Sequence, residues 1–307
     1  MAGGVINTGS HPKLLWPGVF TTWGQVYDQH SKEYLDLYEI KTSDKAYEQG
    51  VQVTPFGLAP VKGQGAPVTY DGEIQGVVST YTHVAYALGF IVTFEELRDN
   101  QYKEVATRRA EANAFSMNQT IENVAAFLYN NAFATTYFTT GDGAALVSNV
   151  HVNATGGNFS NLIGTAADLS EAALEDLTIQ IMGAQNDTGL LINIMPESLH
   201  VSRQDWYNAN RILQSVLQSG ATANNNINVL KATNVFPKGI KMNHYFTDVD
   251  AWFIRTNCPN GMTFFWRDEP MFDQDNDFDT KNAKAASYMR FSVGCTDPRG
   301  IYGSPGA

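Results

Sequence analysis

The residues with the most chemical potential in this 307-residue chain are an acidic run, six histidines, two cysteines and a few closely spaced glycines. Asp273, Asp275, Asp277 and Asp279 alternate with other residues in the rhythm of a calcium loop. Such a loop needs glycine at its sixth position and a bidentate glutamate at its twelfth. Phe278 and Lys284 stand there instead, so the run predicts a solvated acidic turn. His11, His30, His83, His151, His200 and His244 are scattered, with no pair at zinc-ligand spacing on one helix. Each is read as structural. Cys258 and Cys295 do not make a disulfide framework and are expected as small core residues. Gly63-x-Gly65 and Gly141-x-Gly143 lack the third glycine and the strand–turn–helix setting of a dinucleotide loop. No Gly-Lys-Ser/Thr phosphate loop and no Gly-x-Ser-x-Gly elbow occurs. Lys62 has the amine for an isopeptide crosslink, but no Asn partner or catalytic Glu is identifiable, and it is read as a surface lysine. No catalytic residue, metal or cofactor is expected.

Composition narrows the class. A chain that is 43% hydrophobic, 17% charged and 12% aromatic can bury a real core. A net charge of -11 disfavours nucleic-acid binding, which rests on Lys and Arg replacing counterions along phosphates. The longest apolar run, residues 84–92, is broken by Gly89 and falls short of the ~20 residues of a membrane helix. The start Met1-Ala2-Gly3-Gly4-Val5 has neither the basic region nor the apolar stretch of a signal peptide. A soluble protein folded in a cytoplasm, with no membrane partner, is expected.

The elements that would position these residues follow from periodicity. The first ten residues are small and polar and read as a mobile arm. Thr22 is expected to cap a helix whose apolar side is Trp23, Val26, Tyr27, Tyr34, Leu35 and Tyr38. From 50 to 91 the texture is β, with Val51 and Val53, then Val77, Val78 and Tyr81. Between these lies a stretch too rich in Pro and Gly for a helix or a central strand. It predicts an exposed extended or hairpin-like excursion, which at such length is expected to meet a partner. Its candidate contact residues are Pro55, Phe56, Leu58, Lys62, Gly63, Gly65 and Tyr70.

No Gly or Pro occurs from 94 to 140, and Thr93 with Glu96 forms a capping box. Val92 and Leu97 stand where a hydrophobic staple would place them, and Asp99/Lys103 and Glu104/Arg108 are favourable pairs. Ala106, Ala110, Ala114, Met117, Ile121, Val124, Ala125 and Leu128 keep helical spacing. One helix over 94–131, extending roughly 57 Å, is predicted. An alternating α/β pattern begins near 165. Asp168 with Glu171, and Ser202 with Asp205, are expected to cap two helices, the second carrying Trp206, Ala209, Ile212, Leu213, Val216 and Leu217. Strands are expected over 190–195, 227–230, 252–254, 262–266 and 288–293.

At this point the residues resemble a known family. Ser43-Asp44-Lys45-Ala46-Tyr47, Phe56-Gly57-Leu58-Ala59-Pro60-Val61-Lys62 and Tyr81-Thr82-His83-Val84-Ala85-Tyr86 carry the resemblance in the first third. Leu199 with 209–215, residues 224–230, Asn243-His244-Tyr245, Asp250-Ala251-Trp252-Phe253 and Asp275-Asn276-Asp277-Phe278-Asp279-Thr280 continue it. Asp297-Pro298-Arg299-Gly300-Ile301-Tyr302-Gly303-Ser304 ends it. In this order they resemble the major capsid proteins of tailed bacteriophages. The resemblance implies an α+β chain of the Hong Kong 97-type fold. Its parts are an N-terminal arm (1–42), an extended loop and its base (43–82), and a peripheral domain with a long spine helix (83–164). An axial domain (165–269) and a return to the peripheral domain (270–307) complete it. It also implies a non-enzymatic protein that assembles with itself into hexamers and pentamers of an icosahedral head around double-stranded DNA. Portal, scaffold and cement or decoration proteins are the implied partners, and assembly in the host cytoplasm leads to the virion. No helical scaffolding segment opens the chain, so a separate scaffold, or none, is expected, unless the chain is a mature, processed form. The alternatives are an α/β enzyme using 165–269 and another structural component of a virion.

Overall fold

The computed structural model describes residues 17–98, 102–218, 226–277, 279–280 and 282–307. In chain order the elements are α1 (Pro17–Gln29), α2 (Tyr34–Leu37), β1 (Glu39–Thr42), β2 (Tyr47–Val53), β3 (Gln75–Thr82) and β4 (Val84–Val92). Then come α3 (Phe94–Arg98), α4 (Tyr102–Asn130), β5 (His151–Val152), β6 (Asn158–Phe159), α5 (Glu171–Met182), β7 (Pro196–Ser202) and α6 (Trp206–Gln214). The chain closes with α7 (Val229–Ala232), β8 (Ile240–Asn243), β9 (Trp252–Thr256), β10 (Met262–Asn276), β11 (Ala283–Cys295) and β12 (Ile301–Ser304). Two four-stranded sheets result, ordered β1-β10-β11-β4 and β12-β9-β7-β8, beside the pairs β2-β3 and β5-β6.

The larger core lies between α1, α4 and the first sheet. Ala106, Ala110, Ala114, Met117, Ile121, Ala125 and Leu128 of α4 are all buried. The small members of this stripe let the helix lie close to its neighbours. Tyr38 Oη donates to Ala125 O at 2.6 Å, and Tyr129 Oη donates to Leu37 O at 2.9 Å. The second core gathers α5, α6 and the second sheet. Strand β9 serves both, because successive side chains point to opposite faces. Phe253 enters the first core, while Trp252 and Ile254 enter the second. The same alternation sends Ile301 to one core and Tyr302 to the other.

Several expectations are corrected. The segment 94–131 is not one rod. Arg109 Nη2 reaches Glu96 Oε1 at 3.1 Å across 13 residues. In one straight helix those residues would be separated by about 20 Å of rise, beyond the span of both side chains. Helix α3 therefore folds back on α4, and the spine is α4 alone, about 43 Å long. Absence of a breaker permits continuity but does not enforce it. The described part of the first helix runs from Pro17 to Gln29, so Thr22 lies inside it. The chain bends before α2, and Leu37 is buried in place of the exposed Leu35.

Residues 190–195 form no strand. Asn186 Oδ1 accepts from the Thr188 and Leu190 amides, Gly189 adopts φ +81°, and this turn takes up the apolar run. The strand begins at Pro196, where the expected one ended. Residues 227–230 hold a bridge from Ile227 to Leu217 and then α7, capped by Asn228. Helix α6 ends at Gln214, leaving Val216 and Leu217 exposed. Strand β10 runs past the expected 266 through Pro270, which the ladder tolerates at a register shift between Asp268 and Met271. The expected break at 269/270 thus falls inside one strand, and β12 joins the second sheet. Strand β11 begins five residues before the expected 288. Asp273 and Asp275 sit on β10, and only Asp277 and Asp279 belong to the turn.

The mobile arm expected for the first ten residues, the Val92–Leu97 staple and the Asp99/Lys103 and Glu104/Arg108 pairs fall outside what is described. Among the described residues no helix is long and apolar enough to cross a membrane. Both cysteines are free, and burial raises both thiols above their ordinary range.

Candidate functional site

The excursion predicted from Pro and Gly is the far end of a hairpin. Strands β2 and β3 pair antiparallel from Tyr47↔Thr82 to Val53↔Gln75, and residues 54–74 continue beyond them without helix or strand. Thr54 N donates to Ile74 O at 3.0 Å, closing the ladder. Farther out, the Asp71 carboxylate accepts from Gly57 N at 2.7 Å and from Gly72 N at 2.9 Å. Those two bonds draw its carboxyl below the usual range. Gly65, at φ +80°, makes the tip turn, with Ala66 N donating to Gly63 O. Pro55, Phe56, Leu58, Lys62, Gly63, Gly65 and Tyr70 all lie on this tip, and all are exposed. Leu58 is 81% and Tyr70 93% exposed, an unusual state for large apolar side chains grouped on one segment.

The hairpin's root is closely fitted to the body. A Cβ at Gly294 of β11 would lie 2.7 Å from the Tyr81 ring, and one at Gly141 would lie 2.7 Å from Val78 O. Tyr81 Oη and Thr296 Oγ1 are hydrogen-bonded, and the Tyr81 ring meets Phe265 edge-on at 5.0 Å. Beside β3 lies a small cavity of about 70 Å³, walled by Ser79, Tyr81, Phe138 and Val293.

Behind the root, a buried polar cluster joins distant parts of the chain. His151 Nδ1 donates to Asp142 Oδ2 at 2.8 Å, and both side chains are buried. Burial opposes the Asp142 charge, but bonds from His151, Thr140 and Ala144 N hold its carboxyl well below the usual range. Asn161 Nδ2 donates to the carbonyls of Leu146, Pro298 and Ile301. Arg299 extends the cluster to Asp187 and Asn153, with its guanidinium 4.1 Å above the Phe159 ring. These groups are all mutually satisfied, which suits a strut between segments.

A family model described as phage capsid protein matches residues 76–304. The chain belongs to the phage capsid protein family. No curated protein matches it by sequence. Solved capsid structures match by shape. The capsid of Myoviridae phage XM1 gives a TM-score of 0.54 at 14% identity, over 87% of this chain and 90% of that one. The capsid of cyanophage P-SCSP1u gives 0.52 at 12% identity, over 90% and 88%. A virus-like particle from Pyrococcus furiosus gives 0.52 at 10% identity, over 94% and 99%. The fold is thus the Hong Kong 97-type fold of tailed-phage capsids, and the chain is a capsid shell protein.

In this capsid protein the sequence-level helix caps have mixed outcomes. Thr93 and Glu96 exchange the two bonds of a capping box, Thr93 N to Glu96 Oε2 at 3.1 Å and Glu96 N to Thr93 Oγ1 at 3.3 Å. Asp168 does not cap α5. Ser170 does, accepting from Ala173 N at 3.2 Å, while Asp168 accepts from Ala307 N. Ser202 ends β7 and donates to Val249 O at 2.8 Å, and α6 starts four residues later without a side-chain cap. Sequence reasoning missed Asp71, Tyr81, Asp142 and Arg299. Asp71 had a signal, an acidic residue before glycine inside a Gly-rich excursion. Tyr81 and Arg299 depend on partners up to 215 residues away, whereas the partners of Asp142 lie within ten residues of it.

Proposed function

We propose that this capsid protein assembles with itself into hexamers and pentamers, its hairpin lying over a neighbouring subunit, and that the resulting head encloses the phage double-stranded DNA. The observation that carries the reading is the hairpin tip, where Phe56, Leu58, Val61, Val68 and Tyr70 are exposed together. Apolar surface of this kind gains roughly 25 cal/mol per Å² when covered, and a neighbouring subunit supplies the cover. The net charge of -11 suits a wall that holds DNA without sequence-specific binding. Portal, scaffold and cement or decoration proteins are the further partners of such a head. The protein works as a building unit, without catalysis or cofactor, assembling in the host cytoplasm and residing in the virion.

The test is sedimentation of the recombinant protein with negative-stain microscopy of the fast fractions. Capsomers or closed shells support the reading. A monomer at all concentrations, even with a scaffold co-expressed, overturns it. Gly63→Trp combined with Gly65→Trp should impair shell yield more than subunit folding, and a normal yield would count against the hairpin as the contact.

A further inference from the structure

His83 stands at the exit of the hairpin, between β3 and β4. Its Nε2 lies 3.1 Å from Ser43 Oγ, on the strap that enters β2, and its Nδ1 lies 2.9 Å from Ser292 Oγ, on β11. One imidazole therefore touches both ends of the hairpin's base and the sheet strand behind it. All three side chains are buried. Among the described residues, Tyr81 and His83 carry the side-chain hydrogen bonds that run from the hairpin and its exit to β11 and the segment after it.

The direction of each bond follows from the group that ends the row. The Glu48 carboxylate only accepts, and it takes the Ser43 hydroxyl hydrogen at 2.8 Å. Ser43 Oγ is then an acceptor toward His83, as it is toward Lys45 N at 3.2 Å. So Nε2 carries the ring hydrogen, and Nδ1 accepts from the Ser292 hydroxyl. The row runs from Ser292 through His83 and Ser43 to Glu48, with every hydrogen used and an anion at its end. A row of this kind polarises along its length and suits one tautomer only.

We propose that His83 is the positioning residue of the hairpin, clasping its base to β11 as the neutral Nε2–H tautomer and releasing it when Nδ1 takes up a proton. A hydrogen on Nδ1 reverses this bond: Ser292 Oγ must then accept, and its own hydroxyl hydrogen turns away into a buried site and loses its partner. The new charge also faces Arg290 of β11 and Arg267 of β10, against Glu48 of β2 and Asp268 of β10. Burial and then Arg290 hold the imidazolium below its ordinary value of 6.5, so the clasp is complete above that pH and is lost as the pH falls below it. The cavity beside β3 gives the released strand room to move.

The consequence for shells rests on the hairpin being the inter-subunit contact, so the test reads the clasp and assembly separately. Amide hydrogen exchange of the full-length subunit, corrected for intrinsic rates, is compared for wild type, Ser43→Ala, Ser292→Ala and His83→Gln. At pH 7.5 each serine variant should lower protection of amides 47–50 and 79–82 about tenfold, with 262–266 unchanged. In wild type the same amides should lose about tenfold between pH 7.5 and pH 5, and His83→Gln should abolish that step. The serine variants keep the test open if His83→Gln does not fold. A flat wild-type profile, or serine variants with wild-type protection, overturns the proposal. Lowered protection with normal shell yield upholds the clasp and removes the hairpin from the assembly interface.

Discussion

Arg299 Nη2 donates to Asp187 Oδ1 at 2.8 Å, with the two side chains only 3% and 4% exposed. Burial works against the Arg299 charge, yet Asp297 and Asp187 outweigh it and keep the guanidinium firmly protonated. The same side chain donates from Nε to Gln185 O and from Nη2 to Asn153 Oδ1. One residue near the C-terminus thus ties the loop after α5 to the β5-β6 segment.

Removing one partner of such a pair strands the other charge. Arg299→Met should cost about 3–5 kcal/mol in urea unfolding. Replacing Arg299 and Asp187 together with apolar residues should cost less than the single change. A single variant within 1 kcal/mol of wild type, a margin taken from ordinary surface substitutions of about 0.5 kcal/mol, would remove Arg299 from its structural role.

Glu122 of α4 accepts from Glu33 N at 2.8 Å and Tyr34 N at 3.0 Å, fastening α2 to the spine. Burial and the Glu33 carboxylate push its pKa from 4.5 up to about 7. A carboxyl raised on folding gives stability that is full below 4.5 and is lost as pH rises through about 7. Wild type should lose on the order of 3 kcal/mol from this group over that window. Glu122→Gln should flatten the profile, and parallel profiles for the two proteins would contradict the assignment.

Gly294 leaves space that the Tyr81 ring fills. Gly294→Ala puts a methyl 2.7 Å from Tyr81 Cε1 and should cost about 1–3 kcal/mol by overpacking. The near-ultraviolet circular dichroism of the tyrosine should change with it. An unperturbed spectrum and stability would mean that the hairpin root gives way freely.

Ser170 caps α5, and Asp168 does not. Ser170→Ala should cost about 1 kcal/mol in chemical unfolding. Asp168→Ala should cost less and mainly loosen Ala307, whose amide it accepts at 3.0 Å. The reverse order of costs would restore the sequence-level assignment.

Local signals were legible wherever neighbours in sequence are neighbours in space. The Thr93/Glu96 box and the buried stripe from Ala106 to Leu128 are set by contacts three or four residues apart. The excursion was legible because Pro55, Pro60, Pro67 and the glycines among them exclude the regular alternatives. Boundaries failed where two local readings were open. Asp168 and Ser170 both offer a capping oxygen, and only the backbone path selects Ser170. The expected strand stopped at 266, and the register shift in β10 that admits Pro270 depends on β11.

By itself the sequence determined an acidic, core-forming chain with a capping box at Thr93 and Glu96, a helical stripe from Ala106 to Leu128 and an extended excursion of prolines and glycines, since composition and period act locally. Its segments, taken in order, also carried the resemblance to tailed-phage capsid proteins. The tertiary structure decided where α3 turns back, which residues clasp the hairpin and what buries Arg299. Those outcomes join residues such as Ser43, His83 and Ser292, or Asn153, Asp187 and Arg299. No short window contains both ends of such contacts, and their energies exist only once the chain has brought the ends together.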